Sequence, residues 1–276
     1  MASILDGAKQ FHLQVSAEEI GRYVILPGDP GRVPLIARRL ENSQPIAANR
    51  EYTTYTGMLA GEKVSVVSTG IGGPSAAIAM EELVRCGAHT FIRVGTCGGM
   101  DTRVTGGDLI IAQAAVRAEG TSREYLPDGY PAAASFDVVT ALAQAAQPLS
   151  SPQPGLGFHV GVVQSKDSFY GETNPETMPV ASRLEQAWAA YLACGCLASE
   201  MEAAAIFSVA LCRGVRAGAV LTALWNVERS KAGLPDQLCQ SSDRAIACAV
   251  DAISLLIAKD RLAARSLGEN PISNMT

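Results

Sequence analysis

At 276 residues, with 48% hydrophobic and 18% charged side chains, the chain has the makeup of a soluble globular protein with a sizeable core. Its net charge of −5 argues against a nucleic-acid or membrane surface, so any anion site must come from locally clustered arginines. The seven cysteines are odd in number and lack the paired CxxC spacing of a zinc site, which points to a reducing, cytoplasmic setting. MASILDGAKQFHL at the N-terminus has no basic segment followed by an apolar core, and no apolar run reaches membrane-spanning length.

In chain order, YVIL (23–26) is a predicted strand, and PGDPGR (27–32) turns from it into a helix opened by Arg32. KVSVVST (63–69) is the next strand, followed by a helix over 74–87 with Pro74 in its first turn and Gly87 as its stop. Strands follow at TFIRVGT (90–96), DLIIAQAAV (108–116), FHVGVVQS (158–165) and RAGAVLTALWN (216–226). Helices are predicted over 136–147, 183–193, 202–213 and 240–259. AQPLSSPQPGLG (146–157) reads as an exposed loop, and Gly171–Pro179 as a long loop without period. Strands alternating with helices predict an α/β fold: a three-layer α/β/α sandwich around a mixed central sheet. Without a composition shift, residues 1–276 read as one domain, with a loosely held tail from about residue 263.

Three glycine-rich turns follow predicted strands: PGDPGR, GIGGPS (70–75) and the end of FIRVGTCGG (91–99). Backbone N–H groups beyond the carboxyl ends of such strands suit an anion. Each turn alone is as well explained as a tight turn; three, each edged by a hydroxyl or an arginine, favour phosphate. Arg93 lies inside an apolar strand and needs a buried anionic partner. Ser199-x-x-Glu202 before an apolar run reads as a helix capping box, which leaves Glu200 unexplained. Two carboxylates at a strand-to-helix turn suit the paired hydroxyls of a ribose. Of the three histidines, His89 and His159 fall at or in strands and read as structural, while His12 is left undecided between surface and site.

Together, ILPGDPGRV, NREYTTYTG, STGIGGPSAAIAMEEL, RVGTCGG and ASEMEAAAIF resemble the nucleoside phosphorylase family, in its uridine phosphorylase branch, from about His12 to residue 258. The resemblance implies dimers grouped into a hexamer, and cleavage of a nucleoside by phosphate to free base and ribose 1-phosphate, with no organic cofactor. It implies phosphate ligands Gly28, Arg32, Arg93 and Thr96, with Arg50 reaching in from a neighbouring subunit. Glu200, Met201 and Glu202 would hold the ribose, and a neighbour's His12 its 5′ end. Arg93, Thr96 and Glu202 would be the catalytic set; Cys97, Gly98, Phe169, Glu172, Thr173 and Arg229 would surround the base. Glu51, Ile71 and Ser75 match a monovalent cation site, such as one for K+, between subunits.

The base is less determined. Asn226 stands where purine-cleaving relatives carry a protonating Asp, and a neutral amide is a poor general acid, which favours a pyrimidine such as uridine. Yet Glu172 stands where uridine-specific relatives carry a Gln, and an ionised carboxylate only accepts hydrogen bonds. About 4 Å from a leaving base anion it would cost roughly 4 kcal/mol at an effective dielectric of ~20, about a thousandfold in rate. Protonation, a move out of the pocket, a substrate richer in donors, or a cation at Arg229, Lys166 or Lys231 would each relieve this, and Arg229 is the preferred partner. Inosine or guanosine as substrate, a hydrolytic nucleosidase and a non-catalytic nucleoside-binding protein are the alternatives.

Overall fold

The computed structural model describes residues 9–268. Residues 1–8, part of the segment read as lacking a leader, and residues 269–276 of the predicted tail lie outside the described residues. Tyr23–Pro27 (β1) is a strand buried along its whole length, as an unbroken apolar run requires. A 3-10 turn at Pro30–Arg32 leads into the short helix Val33–Ala37 (α1). Two strands absent from the sequence reading follow, Glu41–Asn49 (β2) and Tyr52–Leu59 (β3). β2 is a mostly exposed edge strand containing Pro45, so it carries no apolar alternation. β3 does alternate, but Thr54 and Thr56 occupy buried positions where an apolar pattern would be sought.

Glu62–Val67 (β4) precedes Gly73–Arg85 (α2), which carries Pro in its first turn; Gly87 beyond its end takes φ +89°, the left-handed stop expected of it. Thr90–Gly99 (β5), Leu109–Ala118 (β6) and the short Ala132–Ala133 (β7) come next. Phe136–Ala146 (α3) and Phe158–Lys166 (β8) are joined through the 146–157 loop, whose carbonyls at Leu149, Gly155 and Leu156 are gathered by Arg244. The segment read as a loop, Gly171–Pro179, begins inside a helical turn, Phe169–Thr173 (α4), because Ser168 accepts from the Gly171 N–H and caps it. Ala181–Ala193 (α5), Ala198–Glu200 (β9), Ala203–Arg213 (α6), Arg216–Asn226 (β10) and Val227–Lys231 (α7) lead to the long helix Asp243–Gly268 (α8). Residues 263–268 of the expected loose tail therefore continue this helix.

The strands form one mixed sheet in the order β10-β6-β8-β9-β5-β1-β4-β3-β2, with β7 on β6. β10 pairs with β5 as well as with β6, so β5, β10, β6, β8 and β9 close on one another while β1, β4, β3 and β2 extend as an arm. Alternate residues of β5 feed two cores. Phe91 joins Met80 and Leu83 of α2 and Phe207 of α6 on one face; Ile92 joins Ile36, Leu142, Ile246 and Ile253 of α1, α3 and α8 on the other. Helices on both faces of a mixed sheet make the α/β architecture expected from the alternation. Each fully buried Leu, Ile or Phe contributes about 1.5–3 kcal/mol, so the two cores hold the sheet's geometry firmly.

This topology creates the site. β1, β4, β5 and β10 are mutually parallel neighbours, so their carboxyl ends lie together. β9 runs antiparallel to β5, pairing Ser199 with Gly98, and thereby carries Glu200 back toward Arg93.

Candidate active site

The first two glycine turns are stitched side by side: the Thr69 N–H donates to Pro27 O at 2.9 Å and the Gly70 N–H to Gly28 O at 3.0 Å. Asp29 accepts from the Gly31 N–H at 2.8 Å and fixes the turn that presents Arg32. Gly28, Arg32, Arg93 and Thr96 all line one cavity of about 1740 Å³. Burial pushes the Arg32 guanidinium below its ordinary pKa; Asp29 opposes this and the nearby Arg93 adds to it. Two arginines crowded into one half-open cleft suit a dianion.

Arg93 is 3% exposed and meets two carboxylates: its Nε donates to Glu200 Oε2 at 2.9 Å, and its Nη2 lies 2.5 Å from Glu202 Oε2. Nη1 faces the Gly28 turn and is left for a ligand anion. Gly95 makes room for this arrangement, since a Cβ there would stand 2.7 Å from Nη2. The predicted capping box does not form. The first N–H groups of α6 go instead to Glu200, which accepts from Glu202 N at 2.9 Å and Ala203 N at 3.0 Å, and to Ser165 Oγ, which accepts from Ala204 N. Ser199 Oγ is drawn away to Lys166 Nζ at 2.6 Å. Glu202 is thus released from capping; it accepts from the Gly72 N–H at 2.5 Å and faces the cavity beside Met201. Burial raises the Glu202 carboxyl above the usual carboxylate range, with Arg93 opposing and the neighbouring Glu200 reinforcing the shift.

At the far end, Cys97, Gly98, Phe169, Glu172 and Thr173 line the same cavity. Burial holds the Cys97 thiol well above its ordinary pKa, so it is a neutral lining group and no nucleophile. The expected Glu172–Arg229 pair is absent: Glu172 Oε1 accepts from Lys166 Nζ at 2.6 Å. Arg229 is held by backbone carbonyls, Nε on Pro235 O at 2.8 Å and Nη1 on Thr102 O, and is not part of the cavity lining. Asn226 is fully buried and caps α7: its Oδ1 accepts from Glu228 N, and its Nδ2 donates to Asp101 O at 2.7 Å and Val104 O at 2.9 Å. It is spent on structure and does not reach the cavity.

His12 and Arg50 also lie outside the lining. His12 Nδ1 lies 2.7 Å from Glu82 Oε1, and Glu82 also accepts from the His12 and Leu13 N–H groups, so one buried carboxylate pins this segment. Arg50 is exposed at the β2–β3 turn with φ +55°. Glu51, Ile71 and Ser75 are brought together at the cavity edge, where Ser75 Oγ donates to Ile71 O at a long 3.3 Å.

Two lining residues escaped the sequence reading, Gln164 and Trp188, as did two residues outside the lining that hold the site's elements, Ser165 and Glu228. Trp188 Nε1 on α5 donates to Glu228 Oε1 at 2.9 Å, and Lys231 Nζ approaches the same carboxylate at 2.8 Å. No residue of α5 is fully buried, so this bond ties an otherwise loosely packed helix across the cavity mouth. The polar pair Gln164 and Lys166, two apart at the end of an apolar strand, was the available signal.

A profile of the Phosphorylase superfamily matches residues 22–249. The chain belongs to this superfamily. The phosphorylase superfamily match spans every strand just described, from β1 to β10. Among relatives, the chain is 49% identical to the uridine phosphorylase of Treponema pallidum, over 91% of this chain and 95% of that one. It is 38% identical to the guanosine phosphorylase of Halorubrum lacusprofundi, over 90% and 100%, and 34% identical to the uridine phosphorylase of Escherichia coli K12, over 90% and 98%. Among the described residues, no helix is long and apolar enough to cross a membrane.

Proposed function

We propose that this chain is a nucleoside phosphorylase, a pentosyltransferase that cleaves uridine or a related nucleoside with inorganic phosphate to give free base and ribose 1-phosphate. The observation that carries the reading is the Glu200–Arg93–Glu202 arrangement beside two stitched glycine turns. It supports the reading because one guanidinium joins glycine turns suited to an anion with a carboxylate suited to ribose hydroxyls.

In this reading phosphate docks on the Gly28 turn, Arg32, Arg93 Nη1 and Thr96, oriented and largely dehydrated. Its oxygen attacks C1′ as the C1′–N bond breaks and the electron pair leaves on the base. Glu202 accepts from the ribose hydroxyls while Met201 offers an apolar floor without a competing polar group. Negative charge on Glu202 and phosphate offsets the positive charge that builds on the sugar. Phe169, 43% exposed beside the cavity, supplies a stacking face for the base.

The cavity exceeds the roughly 300–1000 Å³ of most small-molecule pockets, which leaves room for His12 and Arg50 of a second copy. We therefore read the protein as one domain per chain, assembled from dimers into a hexamer, with Glu51, Ile71 and Ser75 offering oxygens to a cation such as K+. Salvage of pyrimidine nucleosides in the cytoplasm is the setting this activity and the odd cysteine number suit. Guanosine is the second candidate substrate, favoured by the Halorubrum relative's name and by Glu172. The test is a panel of nucleosides incubated with and without phosphate, with released bases identified. Phosphate-dependent uracil release is expected; release that ignores phosphate, or none from any nucleoside, would refute the reading.

A further inference from the structure

We infer that Lys166 and Glu172 act as one charge-neutral unit that reads the lactam edge of the base, an N–H beside a C=O. The inference rests on the phosphorylase reading and names the substrate class of the same site. Lys166 is 8% exposed at the end of β8, and its Nζ donates to Glu172 Oε1 and to Ser199 Oγ, both at 2.6 Å. Two of the three ammonium protons are thereby used, and one remains. The ammonium stands 5.9 Å from the Phe169 ring centroid, so this remaining donor lies at the face on which a base would stack.

Glu172 supplies the other half. Its second oxygen, Oε2, is buried and has no hydrogen-bond partner among the described residues. Oε1 of Gln164, 7% exposed and two residues before Lys166 on β8, is likewise unpaired, and both side chains line the cavity. Buried acceptors without donors are costly and rare in native proteins, so a donor is expected to come from the ligand, with a small shift of α4 to admit it. A carboxylate acceptor joined to an ammonium donor presents what a side-chain amide presents, an acceptor and a donor side by side with no net charge. Its complement is a ring N–H next to a carbonyl.

Uracil, thymine, hypoxanthine and guanine carry that edge. Cytosine and adenine turn a ring-nitrogen lone pair toward the same place, where it would oppose the Glu172 lone pair. The same geometry answers the charge problem of a carboxylate near the leaving base. As C1′–N breaks, the electron pair delocalises onto the lactam oxygen, and the Lys166 N–H strengthens its bond to that oxygen while neutralising Glu172.

The experiment measures kcat/KM for uridine, inosine, cytidine and adenosine at fixed phosphate, in the wild type, Lys166→Met, and Lys166→Met combined with Glu172→Gln. The wild type is expected to prefer the lactam nucleosides by about a thousandfold or more, the discrimination of a site built to hydrogen-bond its substrate. Lys166→Met should lower uridine kcat/KM on the order of 100-fold, as removal of one oxyanion donor does, with KM for phosphate nearly unchanged. Adding Glu172→Gln should restore about tenfold of that loss, because the amide supplies donor and acceptor without a bare charge. A merely structural salt bridge would recover stability in the double variant but leave the uridine-to-cytidine preference the same in all three proteins. Equal cleavage of cytidine and uridine, an unaffected Lys166→Met, or a double variant no better than the single one would overturn the inference while leaving phosphorolysis standing. No phosphate-dependent release from any nucleoside would overturn both. The wild-type panel needs no variant, so the inference remains open to refutation even if Lys166→Met fails to fold.

Discussion

Replacing Arg93 with alanine probes the centre of the site and of the fold at once. The guanidinium is buried and bonded to Glu200 at 2.9 Å and Glu202 at 2.5 Å, with side-chain exposures of 0% and 6% for the two acids. Its removal leaves two carboxylates without their cation, and breaking a buried pair on one side costs about 3–5 kcal/mol. For a chain of this size that corresponds to a fall in Tm of roughly 6–20 °C, at about 2–4 °C per kcal/mol. The activity loss is separate, since in the proposed reading Nη1 also donates to phosphate: about 2–5 kcal/mol of transition-state binding, or roughly 30- to 5000-fold in kcat/KM. Arg93→Lys should fall between, because one ammonium meets one carboxylate where the planar fork meets two. Differential scanning calorimetry with and without phosphate, alongside the rate of base release, separates the two effects. An Arg93→Ala protein with wild-type Tm and full turnover at saturating phosphate would refute the reasoning.

The raised Glu202 carboxyl predicts an acidic limb in kcat/KM above the ordinary carboxylate value of 4.5, removed in Glu202→Gln; a limb at or below that value would contradict the assignment. Stability should run the other way: a raised folded pKa contributes stability below the unfolded value, and this is lost as pH rises through the folded one, so Glu202→Gln should flatten that dependence in urea titrations. Trp188→Phe deletes the N–H donated to Glu228 and should raise nucleoside KM about tenfold, the worth of a bond to a charged acceptor, while an unchanged KM would show that α5 does not gate the cavity. Asn226→Asp sets a carboxylate oxygen against the Asp101 and Val104 carbonyls and should lower stability by about 1–3 kcal/mol, seen as a shifted urea midpoint, without any gain in purine cleavage.

The alternation of strands and helices was plain in the sequence because apolar runs and 3.6-residue periods record which faces are buried. β2 and β3 were not, since an exposed edge strand and a strand that buries threonines leave no apolar trace. The glycine turns and Arg93 could be named as candidates because an arginine in a buried strand demands a partner, whatever the fold. Which partner it found was decided in three dimensions. Ser199 and Glu202 have the local spacing of a capping box, but Lys166 takes the serine and Arg93 takes the acid, leaving Glu200 to cap the helix.

The same division governs the base end. Sequence alone determined that Glu172 follows an aromatic pair and needs a cation if charged. It preferred Arg229 to Lys166 and Lys231, wrongly, because which of these cations reaches Glu172 depends on how β8, α4 and α7 pack. The fold sends Arg229 to the carbonyls of Thr102 and Pro235 and Asn226 to the cap of α7. Lys166 remains, six residues from Glu172 in sequence and 2.6 Å from it in space. Local chemistry sets what each side chain can do; which partner satisfies it is set by the sheet that brings them together.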